Sequence, residues 1–134
     1  MPIEGTCLCE QIRVTLDVEK LPDSFSCFCV NCKKAGSGTM SIVVPTPRER
    51  VKVEGKPSVY KDKETMSGIP MDRLFCGNCG SPILTSSTID PANHYVKATL
   101  FGNPIPQPTK ITFQHTKEPW LQHELYSTPV HTRL

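Results

Sequence analysis

No stretch of the 134-residue sequence approaches the roughly 18 consecutive apolar residues of a membrane-crossing helix, so no helical span is expected. The opening residues, MPIEGTCLCEQIRV, lack the apolar run of a secretory signal and carry an acid at Glu4. A soluble chain, intracellular and cytoplasmic, is the expectation. Charge of one sign is missing too: fifteen Lys and Arg against thirteen Asp and Glu leave a net +2. That is no basic field of the kind that grips phosphates, and no nucleic-acid partner is expected. Aromatic residues make up only 7% of the chain, with one tryptophan, Trp120, expected to clamp the C-terminal tail against the core. There is no P-loop, no G-x-G-x-x-G, no internal repeat and no low-complexity tract. With 37% hydrophobic and 21% charged residues the composition is that of a folding chain, and the length fits one domain over residues 1–134.

Long helices are hard to place. Thirteen prolines are spread along the chain, about twice average usage. Between them lie short runs rich in strand formers: QIRVTL (Gln11 to Leu16), MSIVVP (Met40 to Pro45), RVKVEG (Arg50 to Gly55), PSVYK, RLFC, PILTSS and YVKATL (Tyr95 to Leu100), separated by turn residues as in EGKP and DPAN. In RVKVEG, Val51 and Val53 alternate with Lys52 and Glu54, the period of a strand buried on one face. A mainly β fold of short strands with few or no long helices follows. CVNCKKAGS can make a short helical turn that its glycine, Gly36, should stop. Pro104, Pro106 and Pro108 at alternate positions predict an extended C-terminal arm from about residue 103.

The abundant residue is cysteine. Seven is an odd count in a chain with no export signal, which points to metal binding or thiol chemistry and away from a disulfide scaffold. The cysteines form three clusters: Cys7-x-Cys9, Cys27-x-Cys29-x-x-Cys32 and Cys76-x-x-Cys79. The third, in FCGNCGS, has the form of a knuckle whose backbone N–H groups point at thiolates, with Gly77 and Gly80 allowing the turn. A closed structural zinc site needs two more ligands. If Cys7 and Cys9 supply them, one four-cysteine site ties the N-terminus to a distant hairpin and a three-cysteine site remains in one loop. If two of the trio supply them, Cys7, Cys9 and a stray thiol are left over. The first partition is the more economical, and three protein ligands with an open position are the mark of a catalytic zinc. Three thiolates and Zn²⁺ sum to −1, which Lys33 and Lys34 are placed to offset. The trio could instead be closed by His94, His115, His123 or His131. No βαβ pattern supports a thioredoxin-type C-x-x-C. The H-x-E of zinc nucleobase deaminases does not occur.

GTCLCEQIRV, CFCVNCKKAGSG, FCGNCGSPI and the late Pro119-Trp120, in this order and spacing, resemble the glutathione-dependent formaldehyde-activating enzyme family, which includes the centromere protein V domain. The resemblance runs from about Gly5 to Trp120. It implies a tent-like all-β fold of short antiparallel sheets, a structural zinc on Cys7, Cys9, Cys76 and Cys79, and a second, catalytic zinc on Cys27, Cys29 and Cys32, which with only three protein ligands is expected to be the more labile. The implied activity joins glutathione and formaldehyde as S-hydroxymethylglutathione, a carbon–sulfur lyase reaction in reverse. Where the family has glycine after the first C-x-C, this chain has Glu10, expected to start the next strand. Lys33, Lys34 and Arg73 are candidate partners for substrate carboxylates. Asp62, Glu64 and Asp72 are expected to be solvated loop carboxylates. The rival readings are a family member with another small organic substrate, and a non-enzymatic zinc module that binds a partner protein.

Overall fold

A computed structural model of the chain describes residues 1–102 and 104–121. Short strands dominate it, as the proline spacing predicts. β1 (Ile3–Thr6), β2 (Arg13–Leu16) and β5 (Val51–Glu54) make a three-stranded antiparallel sheet in the order β1-β2-β5. β3 (Phe25–Cys27), β4 (Ser41–Pro47), β6 (Ser58–Asp62), β7 (Met71–Phe75), β8 (Pro82–Ser87), β9 (Asn93–Lys97) and β10 (Lys110–Thr112) make a seven-stranded sheet in the order β10-β3-β4-β9-β8-β7-β6. All pairs are antiparallel except β10 with β3. Among the described residues the single α-helix is α1 (Val30–Gly36). The mainly β expectation holds.

The register of the large sheet decides what each face carries. Leu74, Leu84, Val96 and Val44 sit opposite one another across β7, β8, β9 and β4. Directly opposed residues share a face, and Leu84, Val96 and Val44 are at most 1% exposed. Val14 and Leu16 of β2 join the same cluster, so the core lies between the two sheets. Full burial of each such side chain contributes about 1.5–3 kcal/mol. The next row, Tyr60, Arg73, Thr85 and Tyr95, falls on the other face. Pro45 and Pro47 are tolerated inside β4 because β3 pairs with it only as far as Val43, leaving the proline nitrogens beyond the ladder on that side. Gly5 allows β1 to touch the segment after β9: a Cβ there would lie 2.4 Å from the Leu100 carbonyl oxygen.

Four local expectations are corrected. The YVKATL strand ends at Lys97, and Ala98–Phe101 wind into a 3-10 turn that buries Ala98 and Leu100. The short helix is stopped by Ser37, whose φ of 52° is left-handed and whose N–H bonds back to the Lys33 carbonyl, and not by Gly36. Glu10 does not start β2. It holds φ 65° in the turn after Cys9, where its N–H donates to the Cys7 carbonyl at 3.0 Å. That conformation suits glycine, and the side chain at position 10 is exposed. Trp120 does not clamp the tail, being 66% exposed; its neighbour Leu121 packs on Phe28 and Ile111 instead. The proline-rich arm returns to the sheet, where Thr109 bonds to Ser24 and β10 adds alongside β3.

Candidate metal centres

The chain brings the first and third cysteine clusters together. Cys7 and Cys9 flank the tip of the β1–β2 hairpin, closed by the Cys7 N–H bond to Ile12 O at 3.0 Å. Cys76 and Cys79 lie in the β7–β8 hairpin, closed by Cys76 N–H to Ser81 O at 2.9 Å and Gly80 N–H to Cys76 O at 2.8 Å, with Gly80 left-handed at φ 81°. The four sulfurs all lie within 4.8 Å of one another. Two of the spacings, Cys7 Sγ to Cys9 Sγ and Cys9 Sγ to Cys76 Sγ, are 3.7 Å. A tetrahedron with metal–sulfur bonds of about 2.3 Å has edges of about 3.8 Å, so the donor set fits a metal ion. Donors converge on it from outside as well. Ile12 N–H reaches Cys7 Sγ at 3.3 Å, and the Ser81 hydroxyl lies 3.2 Å from Cys79 Sγ. Hydrogen bonds from Ser81 and backbone N–H groups bring the Cys79 thiol down to about 5.

Cys27, Cys29 and Cys32 form the second group, again with all sulfurs within 4.8 Å. Cys27 ends β3, Cys29 caps α1 with its sulfur accepting the Cys32 N–H at 3.2 Å, and Cys32 sits in the helix. Cys27 and Cys29 are buried. Among the described residues no His, Asp or Glu joins either group. His94 lies on β9 opposite Thr46, its Nδ1 buried without a partner and its pKa lowered by burial. His115 packs against Phe113. His123 and His131 lie outside the described residues.

Charge in the trio concentrates on Cys32. Hydrogen bonds from Cys27 and Cys29, and then the positive charges of Lys97 and Arg73, bring its thiol down to about 2 against the cost of burial. Cys27 is pushed well up, because it donates to Cys29 and Cys32, is buried and faces the Cys32 charge. The cations are not the two lysines expected to offset the cluster's charge: of the three basic residues the sequence singled out, Arg73 is there and Lys33 and Lys34 are not. Lys33 is committed elsewhere: its Nζ donates to Glu118 Oε1 at 2.7 Å and to the Thr116 carbonyl at 2.9 Å. Lys34 is exposed. Arg73 and Lys97 take the place of both.

Each of these two cations is buried, at 8% exposure. Arg73 Nε donates to Asp62 Oδ2 at 2.7 Å. Burial works against the guanidinium charge, but Asp62 and Cys32 more than offset it. Asp62 is therefore no solvated loop carboxylate. It is 5% exposed and also accepts from Asn31 Nδ2 at 3.0 Å. Glu64 is exposed, and Asp72 pairs with Lys61 at the surface. Asn31 stands between Cys29 and Cys32 and further holds Glu64 O and Met66 N, at 3.0 and 3.2 Å, tying the β6–β7 loop to the cysteine loop. Lys97 Nζ donates to Ser41 Oγ at 2.7 Å, and Ser41 pairs with Cys27 across β3 and β4. Sequence reasoning missed Asn31, for which no signal exists, and Lys97. A lone lysine between Val96 and Ala98 in an apolar strand was a readable sign for the latter.

Comparison with known proteins follows the same lines. A family model described as the glutathione-dependent formaldehyde-activating enzyme matches residues 2–122. A curated relative from Schizosaccharomyces pombe (strain 972 / ATCC 24843), named "Uncharacterized lyase C29B12.13", is 28% identical over 101 residues, covering 73% of this chain and 67% of the relative. Among solved structures, a Rhodobacter sphaeroides protein determined as a Northeast Structural Genomics target aligns with a TM-score of 0.61 at 18% identity, covering 78% of this chain and 92% of that one. That likeness concerns the fold. Among the described residues no helix is long and apolar enough to cross a membrane.

Proposed function

The chain belongs to the glutathione-dependent formaldehyde-activating enzyme family, and from that premise we propose that it is a zinc-dependent carbon–sulfur lyase that makes and breaks a thiol–aldehyde adduct of the S-hydroxymethylglutathione type. The observation that carries this reading is the meeting of three cysteine sulfurs with two buried cations, Arg73 and Lys97, at one place on the large sheet. Cys7, Cys9, Cys76 and Cys79 would hold a structural zinc, and Cys27, Cys29 and Cys32 a catalytic one. Zinc held by three thiolates supplies a fourth position in which a substrate thiol is kept as thiolate at neutral pH.

The residues of the chain provide the rest. Three cysteine thiolates around a divalent ion sum to −1, and Arg73, Asp62 and Lys97 together contribute +1. The trio can thus be fully deprotonated inside the protein without an unbalanced buried charge. Asp62 and Asn31 orient Arg73 beside Cys32, and Ser41 does the same for Lys97. In the lyase direction the adduct's carbon–sulfur bond breaks with its electron pair left on sulfur, and the hydroxyl proton departs as the carbonyl forms. In synthesis the sulfur attacks the aldehyde carbon and the proton goes to the carbonyl oxygen. Cations beside the sulfur favour its anionic form in both directions.

Zinc content per chain tests the proposal, for the parent and for Cys29→Ser, with and without millimolar glutathione. The parent should carry a second, weaker zinc whose retention rises with the thiol. Cys29→Ser should stay folded with one zinc and lose adduct formation from formaldehyde and glutathione. If the variant unfolds, or if glutathione leaves the parent's second zinc unaffected, a structural zinc module that binds a partner protein replaces the enzyme reading.

A further inference from the structure

The loop that carries Cys27, Cys29 and Cys32 is gripped from outside by the C-terminal part of the chain. β10 lies alongside β3 with Thr112 paired to Cys27, and the Phe28 N–H donates to the Thr112 carbonyl at 3.1 Å. Phe113 then takes a left-handed conformation, φ 53° and ψ 44°, which is unfavourable for a bulky side chain. It leads into the 3-10 turn Gln114–Thr116 and so brings Thr116 against the cysteine loop. Thr116 holds that loop at two points. Its hydroxyl, 2.8 Å from the Phe113 carbonyl, donates to the carbonyl of Phe28, one residue before Cys29, at 2.6 Å. Its own carbonyl accepts from Nζ of Lys33, one residue after Cys32, at 2.9 Å. Glu118 takes a second bond from the same ammonium at 2.7 Å, and Leu121 packs on the buried ring of Phe28.

We propose that residues 113–121 form a latch that presets the three-cysteine site, with Thr116 and Glu118 as positioning residues that act on the sulfurs through Phe28 and Lys33. The inference rests on the reading of Cys27, Cys29 and Cys32 as a metal site and adds what sets its affinity. Three sulfurs gathered within 4.8 Å repel one another as they lose their protons, so a loop without support spreads them and a metal must gather them again. With the latch closed that ordering is complete before the metal arrives, and the metal binds more tightly. The bonds of Thr116 and Glu118 favour the closed form, while the left-handed Phe113 opposes it. By linkage, a metal that binds the closed form more tightly also holds the latch shut.

The test titrates cobalt into the full chain already carrying one zinc at the four-cysteine site, with sulfur-to-cobalt absorption reporting binding at the trio. Glu118→Ala and Thr116→Val should each weaken cobalt severalfold, and the double variant about tenfold, with the first zinc retained. Thr116→Ser, which keeps the hydroxyl, should stay close to the parent. In the parent, filling the second site should slow hydrogen exchange of the amides in residues 113–121 severalfold. That measurement needs no variant and decides alone if the double variant does not fold. The latch is overturned if the double variant binds cobalt as tightly as the parent, if it loses metal from both sites alike, or if the second metal leaves the exchange unchanged. In each of those cases the parent's cobalt band preserves the metal reading of the trio. If the zinc-loaded parent gives no such band, that reading fails, and with it both the proposed function and this inference.

Discussion

The two cysteine clusters use one donor chemistry for opposite structural purposes. In the four-cysteine cluster, Cys9 and Cys76 meet across 67 residues of chain, joining the tips of two hairpins from different sheets alongside the Leu8 N–H bond to Ser81 Oγ at 3.0 Å and the core between the sheets. In the three-cysteine cluster all ligands fall between Cys27 and Cys32, and the loop is anchored by bonds that involve no sulfur, such as Phe28 N–H to Thr112 O at 3.1 Å and Asn31 to Asp62. A metal in the first would hold the fold; a metal in the second would be held by it. Closing a long loop removes more freedom from the unfolded chain than closing a short one, so the stability cost of losing each cluster should differ widely.

The most severe way to break this contrast is Cys76→Ser. Metal binding at a structural zinc site is folding free energy, on the order of 10 kcal/mol, so the variant should be insoluble or lack a cooperative melt. A soluble Cys76→Ser chain with a sharp thermal transition would mean that the hairpins are held by packing alone. Next comes the scaffold of the open cluster. Asp62→Ala leaves Arg73 buried without its carboxylate and should cost about 3–5 kcal/mol in urea unfolding, with the four-cysteine metal retained. A cost below about 1 kcal/mol, the range of exposed pairs, would show that the 2.7 Å pair contributes no more than a surface ion pair. The smallest effect belongs to the first knuckle. Glu10→Gly removes the penalty of a left-handed non-glycine residue, about 1 kcal/mol, and loses part of it to the looser unfolded chain. A gain of a few tenths of a kcal/mol in thermal melts is expected, and a marked loss would mean that the Glu10 carboxylate supports the cluster.

How far the site could be read from residues alone depends on distance along the chain. The C-x-C and C-x-x-C spacings are local, so the three cysteine groups were visible before any fold was known, whereas the meeting of the first and third is a long-range pairing that only the fold brings about. The strands were legible for the same reason: Val51 and Val53 alternate whatever they pack against. Boundaries set by tertiary contact were not. β9 ends at Lys97 because Ala98 and Leu100 are needed in the core between the sheets. Glu10 takes a glycine's conformation because the hairpin must turn within that space.

What the sequence by itself determined is the grouping of the sulfurs into clusters that could hold metal, and the class of fold. Seven cysteines at these spacings and thirteen dispersed prolines leave short strands around sulfur clusters as the arrangement that satisfies both. What only the tertiary structure decided is which charges face the open cluster. Lys33 and Lys34 are next to Cys32 in sequence, yet the helix turns Lys33 toward Glu118 and Lys34 to solvent. Arg73 and Lys97 reach Cys32 because strand register places them on the face opposite the core, with Asp62 and Ser41 as their partners. Ligand geometry is a property of a few consecutive bonds, whereas the field at the site is summed over side chains that only folding brings within range of one another.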